Sequence, residues 1–247
     1  MKYEVSTLIK RPDLINQVAA LDNRSWPVFL QNSDVKSWSH FYDELSAYVL
    51  VLTQNEQVIA AGFTVPVVWD GNADKLPSSI EDIIQAGLSA KRGNLKANTL
   101  IPIGALVDSS MQGNGLSSKV LIEMKQLAIS CGLSSLIVPV RPTKKSQYPL
   151  QSIHEYAQWR NEEGYLFDPW LRVHEKLGAK IIKVAECTLE VTNSIKNWSD
   201  WTDMVFPVCG EYVVKGALSP VRVDKNKDIA TYLEPNVWML HSMENCG

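Results

Sequence analysis

The sequence lacks the features of a secreted, membrane-spanning or nucleic-acid-binding protein. Its 24 basic and 27 acidic residues give a formal net charge of −3, so there is no basic excess to bind a nucleic-acid backbone. No apolar run approaches the roughly 20 residues of a membrane span, and the polar start does not fit a secretory leader. We therefore expect a cytoplasmic protein without nucleic-acid or membrane partners.

Cysteine is scarce and widely spaced. The four cysteines form no Cys-x-x-Cys pair of the kind that holds structural zinc, and they stand at Cys131, Cys187, Cys209 and Cys246. We expect reduced thiols and no metal. The sequence contains no internal repeat and no obvious linker. Its composition, 45% hydrophobic and 21% charged, is ordinary for a globular protein. The sequence therefore predicts one domain over residues 1–247.

Hydrophobic periodicity and turn residues predict a mixture of helices and strands. Residues 12–45 look helical, and residues 47–52 and 57–68 look like a β-hairpin. Gly104 inside an apolar run predicts a bulge or a close backbone approach. The remaining prediction is helices at 79–90, 116–130 and 169–177, and strands at 99–107, 133–140, 180–191, 211–223 and 237–241. This order predicts an α/β (α+β) layer architecture with a mixed sheet.

Residues 106–118 combine a strand end, a polar loop with two glycines and the start of a helix. Gly113 and Gly115 let the backbone approach a ligand closely, and the first-turn amides of a helix attract phosphate. The same glycines would also suit a simple turn, so spacing alone leaves both interpretations open. A P-loop is excluded because no Gly-Lys-Ser/Thr follows, and Ser118 stands where a third dinucleotide glycine belongs.

This segment resembles motif A of the GNAT acyltransferase superfamily, which reads Gln/Arg-x-x-Gly-x-Gly/Ala. Gln112 and Gly115 match the motif, and Ser117 replaces its final small residue. The resemblance implies the GNAT fold, with a mixed, mostly antiparallel central sheet that splits between two strands and helices on both faces. Residues 1–45 would be a helical elaboration, 46–192 the core and 193–247 the C-terminal strands.

The resemblance also implies acyl-CoA, either acetyl-CoA or malonyl-CoA, as the cosubstrate. In the family the strand carries the acyl-pantetheine arm and the loop amides hold the diphosphate. The matching positions here are Ala105, Val107, Gln112, Gly113, Asn114, Gly115, Leu116, Ser117 and Ser118.

Residues 172–179 resemble a second GNAT signature, in which a helix ends in Tyr-Glu-Lys-x-Gly-Phe. His174 stands at the position of the usual tyrosine, and Ala179 replaces the final aromatic residue. The family tyrosine commonly protonates the leaving CoA thiolate, a role open to histidine because it titrates near neutral pH. By pattern alone, a histidine on an apolar helix face is more often a buried core residue.

Five segments resemble a narrower group, the GNAT-like domains in loading modules of bacterial polyketide synthases, of the curacin type. They are residues 141–144, 147–150, 168–174, 201–204 and 234–238. Those domains decarboxylate a malonyl-type thioester, and some pass an acyl group to a carrier protein. A threonine after a strand and a histidine on the next helix are implicated there, and the matching positions are Thr143 and His174. Two hydrogen-bond donors could stabilise the enolate that forms when carbon dioxide leaves.

Three further residues are candidates for substrate binding. Arg141 or Arg172 could pair with a free carboxylate, although surface ion pairing is the commoner role of an arginine. Trp170 would be a pocket wall, although tryptophan is also a common core residue.

Three functions remain open, in decreasing order of preference. The first is transfer of an acyl group from acyl-CoA to an amine or thiol acceptor. The second is decarboxylation of malonyl-CoA, with or without S-acyl transfer to an acyl carrier protein. The third is a non-catalytic acyl-CoA sensor. The partner is accordingly a small-molecule acceptor or a carrier protein.

Overall fold

The chain divides into two structural units in its computed structural model, which describes residues 3–33, 35–113, 115–241 and 243. The first unit takes its described residues from Met1–Ser25, Lys36–Pro139 and Leu240–Gly247. The second is formed by Trp26–Val35 and Val140–Met239. The single domain that the sequence predicts stays a prediction.

Seven α-helices and nine strands are present in the described residues. The helices are α1 (Ile15–Ser25), α2 (Val28–Gln31), α3 (Ile80–Arg92), α4 (Leu116–Ser130), α5 (Ile153–Tyr156), α6 (Pro169–Lys176) and α7 (Ile195–Thr202). The strands are β1 (Glu4–Thr7), β2 (Val49–Gln54), β3 (Gln57–Val67), β4 (Thr99–Val107), β5 (Ser135–Val140), β6 (Ala179–Ser194), β7 (Gly210–Tyr212), β8 (Val221–Asp224) and β9 (Ile229–His241). The predicted α/β class with a mixed, mostly antiparallel sheet is confirmed.

The sheet of the first unit runs in the order β1-β2-β3-β4-β5. The pairs from β1 to β4 are antiparallel, and β5 joins β4 in parallel. The predicted hairpin is confirmed as β2–β3, and its turn is formed by Asn55 and Glu56, with φ values of 49° and 60°. Two successive left-handed residues suit the right-handed twist of paired strands.

The irregularity predicted at Gly104 is a bulge between β3 and β4. Phe63 pairs with Gly104, but its neighbour Thr64 pairs with Pro102, so Ile103 is the extra residue. A bulge increases the local twist of the strand that carries it. The C-terminal half of β4, which leads into the glycine loop, is therefore turned relative to its first half.

Helix α4 packs on the sheet of the first unit through a glycine. A β-carbon at Gly62 of β3 would lie 2.5 Å from Met124 Cε and 3.2 Å from Val120 Cγ1. The buried side of α4 is formed by apolar residues at helical spacing, namely Leu116, Val120, Leu121, Met124 and Ala128. Close packing against β3 fixes the helix whose N-terminus forms the candidate site.

Helix α3 makes an equally tight contact, which gives a prediction. A β-carbon at Gly87 would lie 2.2 Å from Val65 Cγ1 and 3.1 Å from the Pro66 carbonyl oxygen. Alanine normally stabilises a helix interior relative to glycine, but here we expect Gly87→Ala to lower the free energy of unfolding by about 1–3 kcal/mol. Urea unfolding measures the change. In a Val65→Ala background the clashing methyl group is absent, so Gly87→Ala should lower the free energy of unfolding by less than it does with Val65 present. Equal losses of stability in both backgrounds would contradict this packing.

The second unit contains β6–β9 with α2, α5, α6 and α7. β8 pairs antiparallel with both β7 and β9, and β6 also pairs with β9. Its core is aromatic: the ring centroid of Phe29 lies 5.5 Å from that of Trp198 and 5.2 Å from that of Tyr232. The single strand predicted at 211–223 is wrong, because β7 and β8 are separate strands with a turn at Gly216, where φ is 86°.

None of the helices in the described residues has the length and hydrophobicity needed to cross a lipid bilayer.

Candidate active site

The glycine loop between β4 and α4 has the backbone conformation of a close-approach site. Gly113 and Gly115 have φ values of 80° and 70°, and Gly115 is the N-cap residue of α4. A β-carbon on either glycine would have no described atom within 4 Å. Left-handed φ angles favour glycine, and the first-turn amides of a helix have no partner within it. The loop therefore offers donors beside open space, while Asn114 lies outside the described residues.

Two cations and one carboxylate lie close to the ends of this loop. Asp108 accepts from the Ser110 hydroxyl at 2.6 Å and from the Ser110 amide at 3.0 Å, and it forms an ion pair with Arg24. The Ser110 hydrogen bonds and then Arg24 hold the pKa of Asp108 below its usual value. Lys119 in the first turns of α4 lies over the Tyr3 ring at 5.2 Å. Arg24 and Lys119 are thus cations near the loop.

The edge of β4 that precedes the loop separates from β5. The described register pairs only Thr99 with Ser135 and Leu100 with Leu136, although β4 continues to Val107. On its other edge β4 stays paired with β3 as far as Val107. Ala105 and Val107 are half-buried and alternate with buried neighbours. An extended ligand could therefore pair with the backbone at these two predicted positions.

The second unit holds the two predicted catalytic residues, Thr143 and His174. Thr143 is exposed, and its amide and hydroxyl donate to Asp168 Oδ1 at 3.2 Å and 3.4 Å. His174 is 0% exposed on α6, and its ring packs edge-on against Trp170 with centroids 4.5 Å apart. The apolar environment expected for His174 is present, and Asp168 connects Thr143 to the start of the histidine's helix.

The two predicted arginines contact backbone carbonyls of the protein. Arg141 forms an ion pair with buried Glu234 and donates from Nη2 to the Gly216 carbonyl at 2.7 Å. Arg172 donates from Nη1 to the carbonyls of residues 166 and 167, both at 3.0 Å. Both guanidinium groups therefore have structural contacts in the second unit.

Comparisons with known proteins bear on the class of this chain. No family model matches it. It is 29% identical over 272 residues to "Arginine N-acetyltransferase avaD" of Aspergillus versicolor, covering 97% of this chain and 93% of that protein. Its fold matches the loading GNATL domain of CurA from Lyngbya majuscula, with a TM-score of 0.68, 15% identity and 99% of each chain covered. The chain has the GNAT fold.

A second solved structure, the GphF GNAT-like decarboxylase in complex with isobutyryl-CoA, matches with a TM-score of 0.62. It is 15% identical and covers 99% of this chain and 100% of its own. The predicted resemblance to GNAT-like domains and the predicted fold are therefore confirmed. Likenesses at this identity show the fold alone.

Sequence reasoning missed how much of the second unit depends on Asp168. From the sequence, the Asp-Pro pair that opens the helix predicts Asp168 only as the N-cap of α6. In the structure it is 1% exposed and also accepts from the Tyr156 hydroxyl at 2.8 Å. Burial and then the Asp168 charge raise the pKa of Tyr156. No local signal identifies these donors, because they come from elsewhere in the chain.

Lys145 was also missed, since a lysine after a strand is expected at the surface. Its side chain is 1% exposed and donates from Nζ to the carbonyls of Tyr148 at 2.8 Å and Leu218 at 2.7 Å. The ammonium also lies 5.8 Å from the centroid of the Tyr156 ring. Burial lowers the pKa of Lys145 to about 8, from an ordinary value of 10.5.

This shift predicts a pH dependence of stability. Between the two pKa values of Lys145 the unfolded chain binds the extra proton, so unfolding becomes harder as pH rises from about 8 toward 10.5. Below pH 8 both states are protonated and this contribution is flat. Melting temperatures are measured at about pH 7.5 and about pH 9.5 for the native protein and for Lys145→Met, whose side chain does not titrate. Relative to the variant, the native protein should gain melting temperature between the lower and the higher pH. Parallel pH profiles for the two proteins would contradict the shift.

Proposed function

We propose that the protein transfers an acetyl group from acetyl-CoA to an amine nitrogen, and that arginine is the acceptor to test first. The observation that carries this proposal is the 29% identity, over 97% of the chain, to a protein named as an arginine N-acetyltransferase. The likenesses to the loading domain and the decarboxylase are 15% identical and bear on fold.

The glycine loop is the proposed holder of the CoA diphosphate. Its support is the pair of left-handed glycines with open space at their β positions, together with Arg24 and Lys119 nearby. Anions bind at helix N-termini because the unpaired amides and the helix dipole both favour negative charge. The backbone of β4 at Ala105 and Val107 would pair with the extended pantetheine arm.

The proposed reaction is direct transfer. The amine nitrogen attacks the thioester carbon and loses a proton, the carbon–sulfur bond breaks, and the CoA thiolate takes up a proton. His174 is the proposed donor to the leaving thiolate. Thr143 is the proposed hydrogen-bonding partner at the reacting end.

A second candidate is decarboxylation of malonyl-CoA. It is favoured by the way Asp168 connects Thr143 to the helix of His174, because both side chains would have to be held as donors. In that reaction the bond to the carboxylate breaks, carbon dioxide leaves, and the enolate on the thioester oxygen is stabilised by the donors before carbon is protonated.

Product masses separate the candidates. Purified protein is incubated with acetyl-CoA and arginine, agmatine or ornithine, and separately with malonyl-CoA with and without an acyl carrier protein. We expect arginine carrying one acetyl group and an equal amount of free CoA. Agmatine lacks the carboxylate and ornithine lacks the guanidinium, so their relative rates show which group is recognised. Acetyl-CoA formed from malonyl-CoA, without any acetylated amine, would replace the proposal by the second candidate. CoA binding without any product would leave the sensor.

A further inference from the structure

We propose that Asp168 is a positioning residue, whose buried carboxylate holds Thr143 and the helix of His174 in one fixed arrangement. This inference rests on the proposed function, because it concerns the same two side chains. It adds a residue that the motif resemblance did not assign to the reaction.

The carboxylate of Asp168 is the meeting point of three separate segments. It is 1% exposed, and its partners are all donors. Oδ1 accepts from the amides of Thr143 (3.2 Å), Trp170 (2.9 Å) and Leu171 (3.2 Å) and from the Thr143 hydroxyl (3.4 Å), and Oδ2 accepts from the Lys144 amide (2.7 Å) and the Tyr156 hydroxyl (2.8 Å). One carboxylate therefore connects the loop after β5, helix α5 and the start of α6.

This arrangement exceeds what an N-cap requires. A cap oxygen serves only the first amides of its own helix. Ser152, which caps the neighbouring α5, does just this, with one bond from the His154 amide at 3.2 Å. Asp168 makes the corresponding bonds to Trp170 and Leu171 through Oδ1. The same oxygen also accepts from Thr143, and Oδ2 accepts from Lys144 and Tyr156.

The choice of a carboxylate follows from the partners. An ionised carboxylate only accepts hydrogen bonds, whereas an asparagine amide of the same shape presents two donors on one side. In either orientation of that amide, donors would face donors. A serine hydroxyl can keep the cap, but it lies on a shorter side chain and lacks the second oxygen that accepts from Lys144 and Tyr156. It therefore loses most of the contacts to the loop and to Tyr156. Asp168→Ser therefore separates the capping role from the bridging role.

The expected result concerns turnover more than cosubstrate binding. Misplacing a reacting group by about 1 Å can cost on the order of a hundredfold in rate. We expect Asp168→Ser to lower kcat for acetyl transfer by about tenfold to a hundredfold, with KM for acetyl-CoA within about twofold of the native value, since the glycine loop is untouched. Thr143→Ala in the same background should add little further loss, because residues that act as a unit are not additive.

The control is Ser152→Ala, which removes a helix cap in the same unit without touching the Asp168 network. It should lower thermal stability with little change in kcat. Amide hydrogen exchange at Thr143 and Lys144 is followed in parallel and should be faster in Asp168→Ser than in Ser152→Ala.

The outcomes distinguish the two proposals. If the native protein transfers acetyl groups and Asp168→Ser has the same kcat, the positioning role is overturned and the proposed function stands. The same follows if the losses from Asp168→Ser and Thr143→Ala are additive. Absence of transfer by the native protein would overturn the proposed function. In that case amide hydrogen exchange tests the positioning role. Unchanged protection of the Thr143 and Lys144 amides in Asp168→Ser would overturn it, and a loss of protection in Asp168→Ser but not in Ser152→Ala would support it.

Discussion

Replacing Gly115 with alanine is expected to weaken acetyl-CoA binding by about tenfold to a hundredfold, which corresponds to roughly 1.4–2.7 kcal/mol. Gly115 has a φ of 70° at the N-cap of α4, and open space lies at its β position. A methyl group there would occupy the volume that the diphosphate needs and would strain the turn that aims the amides. Calorimetric titration with acetyl-CoA measures the loss.

Gly71→Ala is the matched control for this variant. Gly71 has a φ of 87° and no described atom within 4 Å of its β position, so alanine causes the same kind of backbone strain. Both variants should lose about 1 kcal/mol of stability. Only Gly115→Ala should lose affinity. Equal affinities for the two variants would mean that the glycine loop merely makes a turn.

Replacing His174 with glutamine is expected to lower kcat for acetyl transfer by about a hundredfold to a thousandfold. Glutamine retains hydrogen-bonding groups but cannot transfer a proton near neutral pH. Affinity for acetyl-CoA should be unchanged, because the proposed diphosphate site is the loop before α4. Steady-state kinetics with saturating acetyl-CoA and varied acceptor, together with calorimetry, separates the two quantities.

His154→Gln controls for a general effect of losing a histidine in the second unit. His154 is exposed on α5 and contacts Glu186 at 3.2 Å, so its loss should leave kcat near the native value. His174 is fully buried against Trp170, so His174→Gln will also lower the melting temperature. A His174→Gln protein that is folded and turns over at the native rate would limit the residue to a core role.

The part of the fold that the sequence predicts best is the part with strong local signals. The strand at 99–107 and the helix at 116–130 have the same bounds in the structure as in the prediction. A buried apolar run, two glycines and a periodic helix specify this segment without help from distant residues. The bulge beside Gly104 is likewise a local property of the chain.

Elements that depend on distant partners were missed. Strand β1 has four residues and no clear alternation, and it forms because Glu4–Thr7 pairs with β2 about fifty residues later in the chain, as in the Val5–Leu52 pair. Helix α7 is similarly short, and Trp198 at its centre is buried against Phe29 from a remote segment. Short elements have too few residues for periodicity to be distinctive.

In the candidate site, too, features with a local sequence signal could be predicted and features that depend on distant residues could not. The glycine loop could be predicted from its own residues, and Thr143 and His174 from a resemblance. The donors that converge on Asp168 could not, since Thr143 and Tyr156 lie 25 and 12 residues away along the chain. Which side chains surround a buried carboxylate is decided by tertiary packing.

The central claim is that the glycine loop binds acetyl-CoA. It is tested most directly by titrating isotopically labelled protein with acetyl-CoA and following backbone amide resonances. We expect the largest shifts at Gly113, Gly115, Leu116 and Ser117, with smaller ones at Ala105 and Val107. Saturable shifts confined to other parts of the chain, or no shifts at all, would contradict it.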